Sequence, residues 1–198
     1  MIPYLSEKIA SSFIEFEIIK KEDQEVYSYS FEILISTLLN FLVICFFAIF
    51  TKTIVETIFY LIAFIPLRQL VGGYHAKNHF RCFTILLMAY AGFLMVIYLC
   101  PVEIISITIL IIILISYVLV FSLAPVADSN KPITNDESYS FKYKSRIAIS
   151  TYSLITILMM IIGIHSKWIL ALSLGIISIA LSLVAGTIKN KMKYQCLS

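Results

Sequence analysis

The stretch IISITILIIILISYVLVFSLA, Ile104 to Ala124, runs for 21 residues without a charged side chain. About 20 apolar residues in a helix cross the hydrocarbon core of a bilayer. Five further apolar runs stand around it: Ile33–Phe50, Ile54–Leu67, Cys82–Cys100, Ile147–Ile164 and Trp168–Ile188. The second is short and carries Glu56 and Pro66, so it can also be read as a tilted or re-entrant segment. Of the 198 residues, 60% are hydrophobic and 14% charged. A soluble domain is about half apolar and about a quarter charged, so this chain lacks the polar residues to coat a soluble globule. The expected fold is an all-α polytopic integral membrane protein of about six transmembrane helices. It forms one membrane-embedded domain over residues 1–198, with transmembrane helices in 33–188.

Residues 1–32 precede the first run. Ile2, Leu5, Ile9, Phe13, Phe16 and Ile19 recur at helical spacing among Glu7, Lys8, Glu15, Glu17 and Lys20. That pattern gives an amphipathic helix, lying either in the bilayer interface or on the protein's own cytoplasmic side. It is not a signal peptide, because no basic n-region leads into a short apolar core. Cys45, Cys82, Cys100 and Cys196 show no CxxC pairing and no disulfide framework. Cys-Leu-Ser at the end lacks the fourth residue of a prenylation box.

The Lys/Arg bias orients the spans. With the N-terminus inside and six crossings, segments 1–32, 68–81, 125–146 and 189–198 are cytoplasmic. They hold 13 of the 15 basic residues, and only Lys52 and Lys167 fall outside. Both termini are then cytoplasmic. The tail 189–198, with Lys189, Lys191 and Lys193, is expected on the membrane surface. Segment 125–146 is the longest polar connection, and Lys142, Lys144 and Arg146 in it can meet anionic head groups or an acidic peptide. They can equally be plain positive-inside anchors. His165 falls in a short outer turn and reads as structural.

Between the second and third runs lies Arg68-Gln69-Leu70-Val71-Gly72-Gly73-Tyr74-His75-Ala76-Lys77-Asn78-His79-Phe80-Arg81-Cys82. His75 and Cys82 are seven residues apart, which in a continuous helix is about two turns and one face. A thiol is mostly protonated at neutral pH, and a nearby histidine can take its proton and later return it to a leaving group. Arg68 and Arg81 add positive charge that favours thiolate. Arg68 can also hold a substrate carboxylate or an oxyanion, or serve only as a snorkelling anchor. Gly72-Gly73 lets the backbone turn sharply, and N–H groups there can face an oxyanion. A rival reading takes His75, His79 and Cys82 as three zinc ligands with a fourth position for water. No glutamate base lies beside them, since Glu56 and Glu103 map to the other side. A non-enzymatic peptide transporter or scaffold is the third reading. It calls for polar residues in mid-span lining a path, and these spans carry few.

The pattern Arg68-x4-Gly73-x-His75-Ala76-x5-Cys82 resembles the signature of the accessory gene regulator protein B family of bacterial membrane endopeptidases. Ala124-Pro125-Val126 followed by Asn130-Lys131-Pro132-Ile133 is similar to the segment after that family's central helices. His79 is not part of the family pattern. The resemblance implies a cysteine endopeptidase of the cell membrane, with Cys82 as nucleophile, His75 as its base and acid, and Arg68 and Gly73 in supporting roles. It implies no cofactor and no metal. The implied partner is a short quorum-sensing pheromone precursor with an amphipathic N-terminal helix and an acidic C-terminal part. Arg81, Lys142 and Lys144 are then candidate substrate-binding residues, and Asp128 or Glu137 can orient His75. A homodimer in the lipid bilayer is the expected assembly, and no nucleic-acid partner is expected.

Overall fold

The structure is a computed structural model that describes residues 2–72, 79–101, 105–126 and 135–195; side chains are described within 2–72, 83–101, 105–126 and 138–191. The described residues form seven α-helices: α1 (Ile2–Glu15), α2 (Gln24–Phe50), α3 (Ile54–Val71), α4 (His79–Leu99), α5 (Ile105–Leu123), α6 (Asn135–Ile162) and α7 (Ser166–Gln195). Five of them, α2, α3, α5, α6 and α7, are long and apolar enough to cross a membrane, and α4 carries a shorter apolar part, Phe83–Leu99. The chain is thus an all-α polytopic membrane protein.

Helices begin and end where the backbone can be satisfied, not where hydropathy changes. A helix end leaves four N–H or C=O groups without a partner, and in lipid such groups are costly. Ending a span in water therefore favours extra polar turns. Accordingly α2 starts at Gln24 rather than Ile33, and α7 runs through Lys189 and Lys191 to Gln195. Lys142, Lys144 and Arg146 lie inside α6, which opens at Asn135, and not in a loop. Lys, Glu and Arg are good helix formers, so polarity did not stop the helix. The short second run also grows: α3 continues through Pro66 to Val71 and takes Arg68 into its last turn.

Contacts divide the chain into two compact units, Met1–Lys52 with Ala76–Tyr90 and Thr53–His75 with Ala91–Ser198. In the first, α1 packs along α2. Ser6 and Ala10 are buried, Phe13 meets Phe31 at 5.2 Å between ring centroids, and Gln24 Nε2 donates to Ser11 Oγ at 3.2 Å. The amphipathic segment thus has a protein partner on one face, while Tyr4, Leu5 and Phe16 stay exposed. The turn after α1 is a paired-bond cap: Ile18 N–H reaches Phe13 O and Glu17 N–H reaches Ile14 O.

In the second unit α7 is the central helix. Two thirds of its apolar window (67%) is buried, against at most 28% for the other long apolar helices. It packs on α3, α5 and α6. Lipid is as apolar as leucine, so helices in a bilayer associate through close packing rather than hydrophobic expulsion. Ala171, Ser173, Gly175 and Ala180 supply the small surfaces that allow it. Ala63, Leu67 and Val71 of α3 and Val120 of α5 meet Leu172, Ile176, Ile179 and Leu183 of α7 in one buried cluster. At the other end of α3, Phe59 stacks on Trp168 at 5.8 Å, and His165 lies 5.3 Å from the same indole. The His165 carbonyl also accepts the backbone N–H of Trp168 at 3.0 Å.

Candidate functional site

The motif segment is bracketed by two helix ends. Arg68 stands in the last turn of α3, and His79, Arg81 and Cys82 form the first turn of α4. Gly73 and His75 lie outside the described residues, as does Asp128, and Arg81, Cys82 and Glu137 are placed by their helices only. The shared helical face expected for His75 and Cys82 therefore falls on residues the structure does not describe. So does the trio His75, His79 and Cys82 of the zinc reading; among the described residues no cluster of three His, Cys, Asp or Glu is assembled. Arg68 belongs to the second unit and the first turn of α4 to the first.

The end of α3 is defined atom by atom. Where α3 ends, the carbonyls of Val71 and Gly72 both find donors. Arg68 Nη1 donates to Gly72 O at 3.1 Å, and the same nitrogen donates to Ser182 Oγ of α7. Val126 N–H donates to Val71 O at 3.1 Å, giving a parallel bridge between Gly72 and Val126. A basic side chain in the last turn also suits the negative end of the helix dipole. Gly72 itself has φ 73° and ψ −138°, a backbone region that is essentially glycine's own. A Cβ there would overlap the Val126 carbonyl oxygen. Of the Gly72-Gly73 pair the structure describes Gly72, and that residue takes the glycine-specific conformation.

Arg68 is half-buried, and its sequence neighbour Leu67 belongs with Val71, Val120, Ala124 and Leu183 to the buried cluster. Arg68 is more than a snorkelling anchor, since its guanidinium ties two helices and a turn. The candidate substrate-binding lysines differ from it. Lys142 and Lys144 are exposed on α6. Arg146, one turn on from Lys142, is not displayed with them: its guanidinium carbon stands 4.2 Å from the centre of the Phe121 ring, and Nη2 donates to Phe121 O at 3.4 Å. It pins α6 to the end of α5 by a cation–π contact.

Val126 and Ser182 escaped the sequence reading as site residues, and Gly72 entered it only together with Gly73 as a turn. Ser182 is one serine among several in an apolar run, 114 residues from Arg68, and nothing local marks it. Val126 carried a signal only through the Ala124-Pro125-Val126 segment noted for its similarity.

Comparison with known proteins comes down to one family. A family model described as accessory gene regulator B matches residues 6–185. A protein of Clostridium beijerinckii described as AgrB-like is 29% identical over 136 residues, which cover 68% of each chain. No solved structure matches.

Proposed function

The chain belongs to the accessory gene regulator B family, and from that premise we propose that it is a cysteine endopeptidase that processes a short pheromone precursor. Family membership over most of the chain supports a role in accessory gene regulator peptide processing. The observation that carries the finer reading is the spacing Arg68-x4-Gly73-x-His75-Ala76-x5-Cys82 inside the matched region. Cys82 is the nucleophile and His75 its base. Cys82 occupies the first turn of α4, where helix N–H dipoles favour negative charge.

The reaction has two acyl transfers. His75 takes the Cys82 proton as Sγ attacks the carbonyl that ends the pheromone core. Collapse of the tetrahedral intermediate breaks the peptide C–N bond, and His75 returns the proton to the leaving nitrogen. The C-terminal part departs and a Cys82 thioester remains. A cysteine or serine side chain of the bound core then attacks that thioester, closes a thiolactone or lactone and restores the Cys82 thiol. Exchange of thioester for thiolactone nearly conserves bond type. Water has to be kept out of this step, which suits a site at the bilayer edge. On the positive-inside count this edge is the cytoplasmic face of the cell membrane, where a newly made precursor arrives. The exposed Lys142 and Lys144, with Arg81, are the basic groups for its acidic part.

The test is co-expression with a candidate precursor and mass spectrometry of the Cys82 peptide. An acyl adduct on Cys82 and a shortened precursor are expected. Cys82→Ala and His75→Ala abolish cleavage, while His79→Ala leaves it nearly intact. Cleavage that survives Cys82→Ala, or that is lost on chelation with stoichiometric zinc bound, sinks this reading.

A further inference from the structure

We propose that Arg68 is a positioning residue: with Ser182 and the Val126 backbone it clamps Gly72, and the clamp sets the course on which the chain leaves α3 toward Gly73 and His75. The proposal rests on the reading of His75 and Cys82 given above.

Three independent contacts meet on Val71 and Gly72. Arg68 Nη1 holds the Gly72 carbonyl at 3.1 Å, and Val126 N–H holds the Val71 carbonyl at 3.1 Å. The third is steric, the Val126 carbonyl oxygen filling the space where any side chain on Gly72 would stand. A residue at φ 73°, ψ −138° persists only where its surroundings over-determine it, and these contacts do so. The anchor beneath is firm. Ser182 receives the Arg68 donor on α7, the central helix of this unit, beside the fully buried Leu183. Leu67 and Val71 are themselves fully buried. His75 follows Gly72 by three residues in the sequence, and on this proposal the direction of the Gly72 peptide bears on its placement. A general base must sit within hydrogen-bond reach of the proton it takes, and a displacement of about 1 Å can cost about a hundredfold in rate.

The alternative role for Arg68 is a clamp on a substrate carboxylate or oxyanion. In the structure Nη1 is given to Gly72 and Ser182, which is the arrangement of the clamp on Gly72. The two roles also separate kinetically. A positioning residue acts through His75, so its loss lowers kcat and slows Cys82 chemistry even without precursor. Loss of a substrate clamp raises KM.

The experiment uses the full chain in native-lipid nanodiscs, with two readouts. One is precursor cleavage. The other is the rate of Cys82 alkylation by iodoacetamide at neutral pH, followed on the Cys82 peptide by mass spectrometry. Ser182→Ala should slow both by about tenfold, with KM unchanged, and Ser182→Thr, which keeps the hydroxyl, should restore both. Arg68→Gln should slow both further, and adding Ser182→Ala to it should cost nothing more, because the partner is already gone. Wild-type rates in Ser182→Ala alongside an inactive Cys82→Ala overturn the clamp while leaving the cysteine mechanism standing. So does a raised KM with normal alkylation in Arg68→Gln. Unchanged alkylation in His75→Ala removes the histidine–thiol pair itself, and the clamp's role falls with it.

Discussion

Pro66 takes one N–H out of α3, and the carbonyl that would have received it is Ile62 O. In a membrane-spanning helix no water stands ready to replace it. The structure fills the gap from another helix: the Tyr152 hydroxyl of α6 donates to Ile62 O at 2.7 Å. One hydroxyl thus accounts for how α3 passes a proline and still delivers Arg68 in its last turn. Tyr152→Phe leaves that carbonyl unpaired, a loss of about 1–3 kcal/mol. Pro66→Ala on the same background restores the N–H and should recover most of it. Thermal unfolding in detergent, read on the single tryptophan, Trp168, measures both, since Trp168 stacks on Phe59 of α3. Equal losses in the single and double variants would show that the bond does not matter. The sequence announces Pro66 as a threat to the second span. It cannot announce the remedy, because Tyr152 is 90 residues away. The same limit hides Ser182 from a reading that finds Arg68, His75 and Cys82 with ease. A motif is local spacing, whereas its supports are set by packing.

Among the elements, the pairing of α3 with α7 positions the motif. At Gly175 the helices approach so closely that an added Cβ would stand 3.0 Å from Ala63 Cβ and crowd the Tyr60 carbonyl oxygen. Tyr60 cannot retreat easily: it is buried and stacked on Phe64 at 5.5 Å, with Phe93 at 4.6 Å. Gly175→Ala should therefore push α3 from α7 at a cost of about 1–3 kcal/mol, although alanine is the better helix former. Gly92→Ala is the control, because nothing lies within 4 Å of its Cβ, and it should be neutral or stabilising. A shift of Trp168 emission in the first variant and none in the second is the expected signature. Six apolar runs lead to the six helices that carry them, since hydropathy reports burial in lipid directly. Their ends were less legible. Asn135, Lys142 and Lys144 look like loop residues by polarity, but they belong to a helix whose backbone bonds continue into water.

At the scale of the molecule, orientation decides whether Lys142 and Lys144 share a side of the membrane with the end of α3 that carries Arg68. The basic residues put 13 of 15 on the cytoplasmic face if all six apolar helices cross. The helix on which this depends is α4. Its apolar part Phe83–Leu99 is short for a span, but the whole helix His79–Leu99 has 21 residues. At about 1.5 Å per residue that reaches about 31 Å, close to the roughly 30 Å hydrocarbon thickness. His79 and Arg81 then stand at the boundary, with Cys82 just inside it. Single cysteines at Lys52, Lys142 and Lys167, in a background with the native cysteines replaced, test this with a membrane-impermeant maleimide. Lys52→Cys and Lys167→Cys should label in intact cells, and Lys142→Cys only after lysis. If α4 fails to cross, Lys52 keeps its side while Lys142 and Lys167 exchange theirs, because Lys52 precedes α4 and both lysines follow it, Lys142 after α5 and Lys167 after α5 and α6. That outcome would put Lys142 and Lys144 across the bilayer from Arg68 and remove them as partners for an acidic precursor. Labelling at Lys52 and Lys167 alone would keep Arg68, Lys142 and Lys144 on the side where a ribosome-fresh peptide arrives.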